Sequence, residues 1–359
     1  VFGVEVVTAD GRFLRTGQWA LCKSPAPVSR NFGPDTTGLF MHDGGAFGIK
    51  TKAAFRLIPL PAQNGYGPYA FADVDAACRA LSAIARARIA EEVYVLDAGS
   101  VAINVDRDTS VSTVLRAIRQ VAGSASGVGG KLKALFGLAL AGRGVVPAGA
   151  FTLHLVAAGN ARAVDDDLSR ARGLATAEGG IPIATTVPRI ARADPVPGLN
   201  SVVGASGSRW AALNVKVAHS QAEQLIHAHQ TLMTKHKGAL QQHDVRVTYL
   251  CSALFNYSFS FEAVFHWHDS SHPIHQSNVD LMLLASFTPA QPNVEARALV
   301  AMLREVACKL FREFGGASNQ IGRTYPFMET LDEAPAALLH GLKVQLDPRH
   351  RMNPGVLGL

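Results

Sequence analysis

The sequence predicts an α+β protein: one antiparallel sheet with helices on one face, preceded by a shorter, incomplete region of strands. Three observations predict it. The stretch "VRVTYLCSALFNYSFSFEAVFHWH" (245–268) is β-rich throughout, with a turn expected near Asn256. From residue 65 onward, amphipathic helical patterns alternate with such strands. The first sixty residues read as strands and irregular chain, with no long helix among them.

In chain order, "VFGVEVVTADGRFLRTG" reads as a hairpin turning at Asp10-Gly11. Residues 18–37 are rich in Pro and Ser and read as irregular; "AFRLIPLP" then reads as a strand from Ala54 to Leu60. A helix begins with Asp73 as its N-cap, and "EEVYVLDAG" follows as a strand. Helical patterns are expected in "STVLRAIRQVAG" (112–123) and "GKLKALFGLALAGRG" (130–144), joined by the small-residue loop "GSASGVGG". "AFTLHLVAAG" is a strand, and the helix after it ends at Gly179-Gly180. Residues 181–208 read as loop. "RWAALNVKVA" is a strand and residues 219–239 a helix. Past the long β region come helices in "NVEARALVAMLREVACKLFREFGG" and "APAALLHGLKVQLDPRH".

The chain has 359 residues, enough for two domains with a sizeable core. Hydrophobic residues make up 48% and charged ones 17%, an ordinary soluble composition. The longest apolar run, residues 134–142, is too short to span a bilayer, so no integral membrane segment is expected. The start reads as the middle of a strand, and a fragment lacking its natural N-terminus is expected. The net charge is +6 with dispersed basic residues, which argues against nucleic acid as a partner. Cys22, Cys78, Cys251 and Cys308 have no metal-binding spacing and read as free thiols in a reducing, cytoplasmic setting.

The segment "GLFMHDGGAFGIKTKAAFRLIPLP" (38–61) places Gly44, Gly45 and Gly48 within five residues, just before a strand pattern. Successive N–H groups in such a turn can form an anion nest for a pyrophosphate. The spacing is not that of a dinucleotide-binding loop, and a strand-to-strand turn is the reading the residues alone favour. The segment resembles one of the vanillyl-alcohol-oxidase-type (PCMH-type) FAD-linked oxidases and dehydrogenases. The opening hairpin and the closing "LDPRHRMNPGVLGL" resemble the same superfamily, in the same order. The resemblance implies residues 1–62 as the C-terminal part of an FAD-binding domain, 63–340 as a substrate cap and 341–359 as a helix and tail returning to the FAD domain. It implies FAD as cofactor, with Gly44, Gly45, Ala46, Gly48, Ile49 and Asn353 at the cofactor. Asp43-Gly44 replaces the family's common Ser-Glu, and any side-chain contact made there is expected to be lost. The rest of the flavin site would lie in a subdomain absent from this sequence.

The resemblance further implies hydride transfer from a hydroxy acid or phenolic alcohol to the flavin. "SNQIGRTYPFMETL" (318–331) places Arg323, able to grip an anion, and Tyr325, which in a strand would share Arg323's face. An ion pair with Glu329 is the plainer reading of Arg323, and edge packing that of Tyr325. Two departures matter: Ser318-Asn319 and Asn214 stand where relatives often carry histidines, and Asn cannot act as a base near neutral pH. "FHWHDSSHPIH" (265–275) holds His266, His268, His272 and His275; it reads as an exposed strand end and loop, and no metal is expected. Phe255, Tyr257, Phe259 and Phe261 alternate and could line the pocket or pack under the cap helices. Residues 130–143 read better as a cap helix than as a membrane anchor. The alternative reading is an interaction subunit that keeps the fold without flavin chemistry. The expected partners are a small-molecule substrate and an electron acceptor of open identity; a homodimer is left open.

Overall fold

A computed structural model of the chain describes residues 1–24, 27–30, 33–100, 149–193, 207–279, 281–285 and 290–359. The helices expected at 112–123 and 130–144, and the loop between them, lie outside the described residues. The chain divides into two compact units, Val1–Leu60 with Ser318–Leu359, and Pro61–Ala317. Residues 318–340, expected with the cap, therefore group with the first unit. Five helices among the described residues have fourteen residues or more: α1 (Val74–Ala87), α2 (Ala161–Ala177), α3 (Ala222–Lys235), α4 (Val294–Glu313) and α5 (Glu333–Leu346).

In the first unit, β1 (Gly3–Val7), β2 (Phe13–Arg15) and β3 (Ile49–Ala54) form an antiparallel sheet in the order β2-β1-β3. The opening hairpin is present as expected. The strand expected at 54–60 is not: β3 ends at Ala54, and Phe55–Leu60 runs on without strand pairing. Pro59 has no N–H to give a ladder and biases Ile58 before it. The core joins Val4, Val6, Phe40 and Phe47 to Leu339, Leu342 and Leu346 of α5.

The second unit is built on an eight-stranded sheet. Its strands are β4 (Gln63–Tyr66), β5 (Tyr69–Phe71), β6 (Glu92–Leu96), β7 (Phe151–Gly159), β8 (Ile181–Pro182), β9 (Ser208–Val217), β10 (Arg246–Leu254) and β11 (Ser258–His268). The order is β8-β5-β7-β6-β10-β11-β9, with β4 also on β7, and every pair is antiparallel. Crossovers between non-neighbouring strands are what the intervening helices supply.

Alternation along β11 separates two faces. Phe259, Phe261, Ala263 and Phe265 are wholly buried on one of them. His229 of α3 and Phe311 of α4 pack edge-on against Phe261, which fixes this as the helix-bearing face. A short helix, Thr186–Ala193, lies in what the sequence reads as loop. Its Arg189 sits 4.5 Å over the Tyr66 ring, and Arg192 pairs with Glu91 and Glu92.

Candidate functional site

The glycine turn of the first unit owes its shape to glycine at two points. Gly44 has φ 58°, and a Cβ there would meet Val356 Cγ1 at 2.6 Å. Gly48 has φ 154°, and a Cβ there would lie 2.8 Å from the Val7 carbonyl oxygen. Neither position accepts a side chain without moving its neighbours.

Asp43 organises the turn, contrary to the expectation that this position lost its contacts. Its carboxylate is buried, accepts from Gly45 N at 3.2 Å and Phe47 N at 3.3 Å, and pairs with Lys50. Its carbonyl accepts from Ala46 N at 2.9 Å. An anion nest formed by these three N–H groups is therefore corrected: Asp43 already fills it, and a phosphate would meet that carboxylate. Sequence reasoning missed Asp43, although an Asp beside paired glycines is a turn-forming signal.

The turn is fastened to the C-terminal tail by a buried ion pair. Lys343 of α5 is fully buried and donates to Asp347 Oδ2 at 2.7 Å, Ala46 O at 2.8 Å and Met352 O at 2.9 Å. Asp347, also fully buried, further accepts from the backbone N–H groups of Arg351 and Met352. Burial alone would raise the Asp347 carboxyl; the bonds from Lys343, Met352 and Arg351 outweigh it and bring it down to about 2.

Residues far apart in sequence meet on this surface. Asn353 Nδ2 donates to Gly44 O at 2.6 Å, and Arg323 Nη2 donates to Asn353 Oδ1 at 3.2 Å. Arg323 also donates to Pro354 O from Nε at 3.1 Å and Nη2 at 2.7 Å. The edge of the guanidinium that would grip a carboxylate is thus engaged by the tail. The expected strand around Tyr325 is a turn instead, so alternation does not place it beside Arg323. Tyr325 packs on the cluster of Ala46, Ile321, Val356 and Leu357. Ile49, Asn353 and Arg323 reach the surface, while Ala46 and Gly48 are buried and shape the turn.

In the second unit, the sheet face opposite the long helices is polar. It carries Asn214, Lys216, Thr248, Glu262, His266 and His154, by the strand register. Lys216 Nζ donates to Asn214 Oδ1 at 2.7 Å, and Thr248 Oγ1 and His266 Nε2 lie 2.9 Å apart. Burial brings the His154 imidazole down to about 4. Phe259 and Phe261 do not line this face; they are core under the helices, because they fall on the other side of the pleat. Phe255 and Tyr257 are exposed at the hairpin tip. Among the described residues, no group of three or more His, Cys, Asp or Glu comes together as a metal site.

A search of solved structures finds p-cresol methylhydroxylase with substrate bound, at TM-score 0.61 and 18% identity, over 99% of this chain and 64% of that one. It also finds 4-ethylphenol oxidase from Gulosibacter chungangensis in an isoeugenol complex, at TM-score 0.58 and 16% identity, over 99% and 65%. The chain has the fold of the PCMH-type FAD-linked oxidases. In sequence, it is 37% identical over 89 residues to the glycolate oxidase subunit GlcD of Bacillus subtilis (strain 168), covering 25% of this chain and 17% of GlcD. It spans less than two thirds of each of these proteins. No family model matches the chain. Among the described residues no helix is long and apolar enough to cross a membrane.

Proposed function

We propose that the chain is part of an FAD-dependent oxidoreductase acting on the CH–OH group of a hydroxy acid or phenolic alcohol. The observation that carries this reading is the hydrogen-bonded chain Arg323–Asn353–Gly44, which joins three separately expected site residues on one surface. The uncharged backbone of Gly44 and Gly45, the exposed Ile49 side chain and Asn353 would hold FAD along this wall. The diphosphate would be neutralised elsewhere, since Asp43 fills the nest. When bound, FAD supplies the hydride-accepting chemistry.

This chain's own residues then place the substrate. Arg323 contributes positive charge at the edge of the wall while its bonds to Pro354 and Asn353 fix the tail. Tyr325, seated on the Ala46 cluster, is a hydroxyl-bearing neighbour for orienting substrate or moving a proton. The polar sheet face supplies hydrogen-bonding groups of the kind a small oxygenated substrate needs. A reducing, cytoplasmic setting accords with the four free cysteines.

The test is the visible absorption spectrum of protein purified from its natural reading frame, beside the 359-residue chain. Flavin bands are expected in the former, with Asn353→Ala lowering FAD retention about tenfold through loss of a hydrogen bond that shapes the wall. A colourless natural protein that takes up no added FAD would sink the assignment and promote the interaction-subunit reading.

A further inference from the structure

With Asn214 in a position where a histidine was expected, the proposed reaction has no assigned base. The strand register shows what stands beside it. Glu262 of β11 is directly cross-strand from Asn214 of β9, on the polar face. Its partner on the other side is Leu250 of β10, so Glu262 is flanked by an amide and an aliphatic side chain. Glu262 is half-buried. Lys216, two residues along β9 on the same face, donates to Asn214 Oδ1.

The titratable surroundings are few. On its own strand and face, the neighbour is His266, bonded to Thr248. On β9 it is Lys216. The facing residues of β10, Thr248, Leu250 and Ser252, carry no charge. Beyond β10, Tyr94 of β6 and His154 of β7 share the face. Glu92, a second carboxylate on the face, is paired with Arg192. Burial raises the Glu262 carboxyl above the usual range, and Lys216 pulls the other way. Burial likewise lowers the Lys216 ammonium to about 8, opposed by Glu262. A carboxylate raised toward neutrality is suited to taking a proton at working pH.

We propose that Glu262 is the proton acceptor for the hydroxyl of a small alcohol or hydroxy-acid substrate, with Asn214 and Lys216 as positioning residues. This rests on the oxidoreductase reading. In the step, the substrate O–H bond breaks and its proton bonds to a carboxylate oxygen of Glu262. The electron pair stays on the substrate oxygen, and Glu262 becomes a neutral acid. Asn214, its amide oxygen held by Lys216, cannot take the proton and serves to orient.

The experiment uses the flavin-loaded natural protein, with glycolate, D-lactate and 4-hydroxybenzyl alcohol as probes. Anaerobic flavin reduction, probe binding and the protonated-carboxyl infrared band are each followed against pH. Glu262→Gln is expected to slow reduction by about 10²–10⁴-fold. It should leave the flavin spectrum and probe binding intact and remove a carboxyl band that titrates above the ordinary glutamate range. Glu262→Asp should recover part of the rate. Lys216→Met should move the acid limb of the rate profile to higher pH, because the cation holding Glu262 ionised is gone. A Glu262→Gln variant that reduces as fast as the parent overturns the inference and leaves the oxidoreductase reading standing. A Glu262 band in the ordinary range also overturns it. A parent that binds no flavin, or whose flavin none of the probes reduces, overturns the reading itself and this inference with it.

Discussion

Lys343 in the first unit and His229 in the second are both wholly buried, and they are handled in opposite ways. Lys343 keeps its charge. All three of its ammonium protons have acceptors, and its partner Asp347 receives three hydrogen bonds. His229 keeps no charge. Among the described residues neither ring nitrogen has a hydrogen-bond partner, and the ring lies against Tyr249, Phe261 and Phe311 at 5.6, 5.2 and 6.2 Å. Burial brings its pKa down to about 4. A full set of partners lets a charge stay inside, whereas an aromatic pocket without them keeps an ionisable ring neutral. The difference also separates two jobs. The ion pair fastens the tail to the glycine turn, and His229 fills space between α3, α4 and the sheet.

The most direct way to break the comparison is Lys343→Met. It leaves Asp347 buried with its compensating cation removed, and a loss of about 3–5 kcal/mol is expected in urea unfolding. Adding Asp347→Leu should recover little, because the N–H groups of Arg351 and Met352 would then be orphaned. A double variant as stable as the parent would show that the pair contributes no fastening.

The two buried sites should also fail at different pH. The unfolded chain protonates His229 near 6.5, while the folded one resists down to about 4. Its contribution is therefore complete above pH 6.5 and disappears as pH falls toward 4, a loss of about 3 kcal/mol. His154 titrates in the same direction. Asp347, with a folded pKa of about 2 against an ordinary 3.8, contributes fully above pH 3.8 and loses that contribution only below it. Thermal unfolding from about pH 7.5 down to about pH 4 should show the first loss, and His229→Leu should flatten it. A curve equally steep in that variant would count against the His229 assignment.

Much of the fold was legible because strand alternation and helix periodicity are local. The opening hairpin, the long β10–β11 pair and the helices α1, α2 and α4 all carry their own signals. What was not legible depends on partners far away in sequence. Asp43 reads as a lost contact in sequence, yet its carboxylate closes the turn. Lys343 and Asp347 sit at the ordinary i,i+4 spacing of a surface pair, and nothing local says that Ala46 covers them. The aromatics Phe255, Tyr257, Phe259 and Phe261 alternate identically, yet only pairing decides which lie under helices. Glu262 acquires meaning only once register sets it opposite Asn214.

Gly48→Ala tests whether the turn is shaped by glycine or by Asp43. The added methyl would approach the Val7 carbonyl oxygen at 2.8 Å, at a positive φ that L side chains rarely adopt. A cost of about 2 kcal/mol is expected, with weaker FAD retention in the natural protein. Unchanged stability and retention would shift the whole task of shaping the turn to Asp43.

The smallest effect is expected at the hairpin tip. Phe255 is 79% exposed, has φ 53°, and stacks on the exposed Tyr257 with ring centroids 5.6 Å apart. Two rings that remain in water gain little from each other, since little apolar area leaves solvent. Phe255→Asn should be neutral to within about 0.5 kcal/mol. Asn also tolerates the left-handed conformation better than Phe, which offsets the lost stacking. Phe261, on the same hairpin and fully buried against His229 and Phe311, has no such tolerance. A marked loss of stability at Phe255 would mean that the tip is covered in solution, and the difference between the two rings would then lie in what covers each, not in burial against solvent.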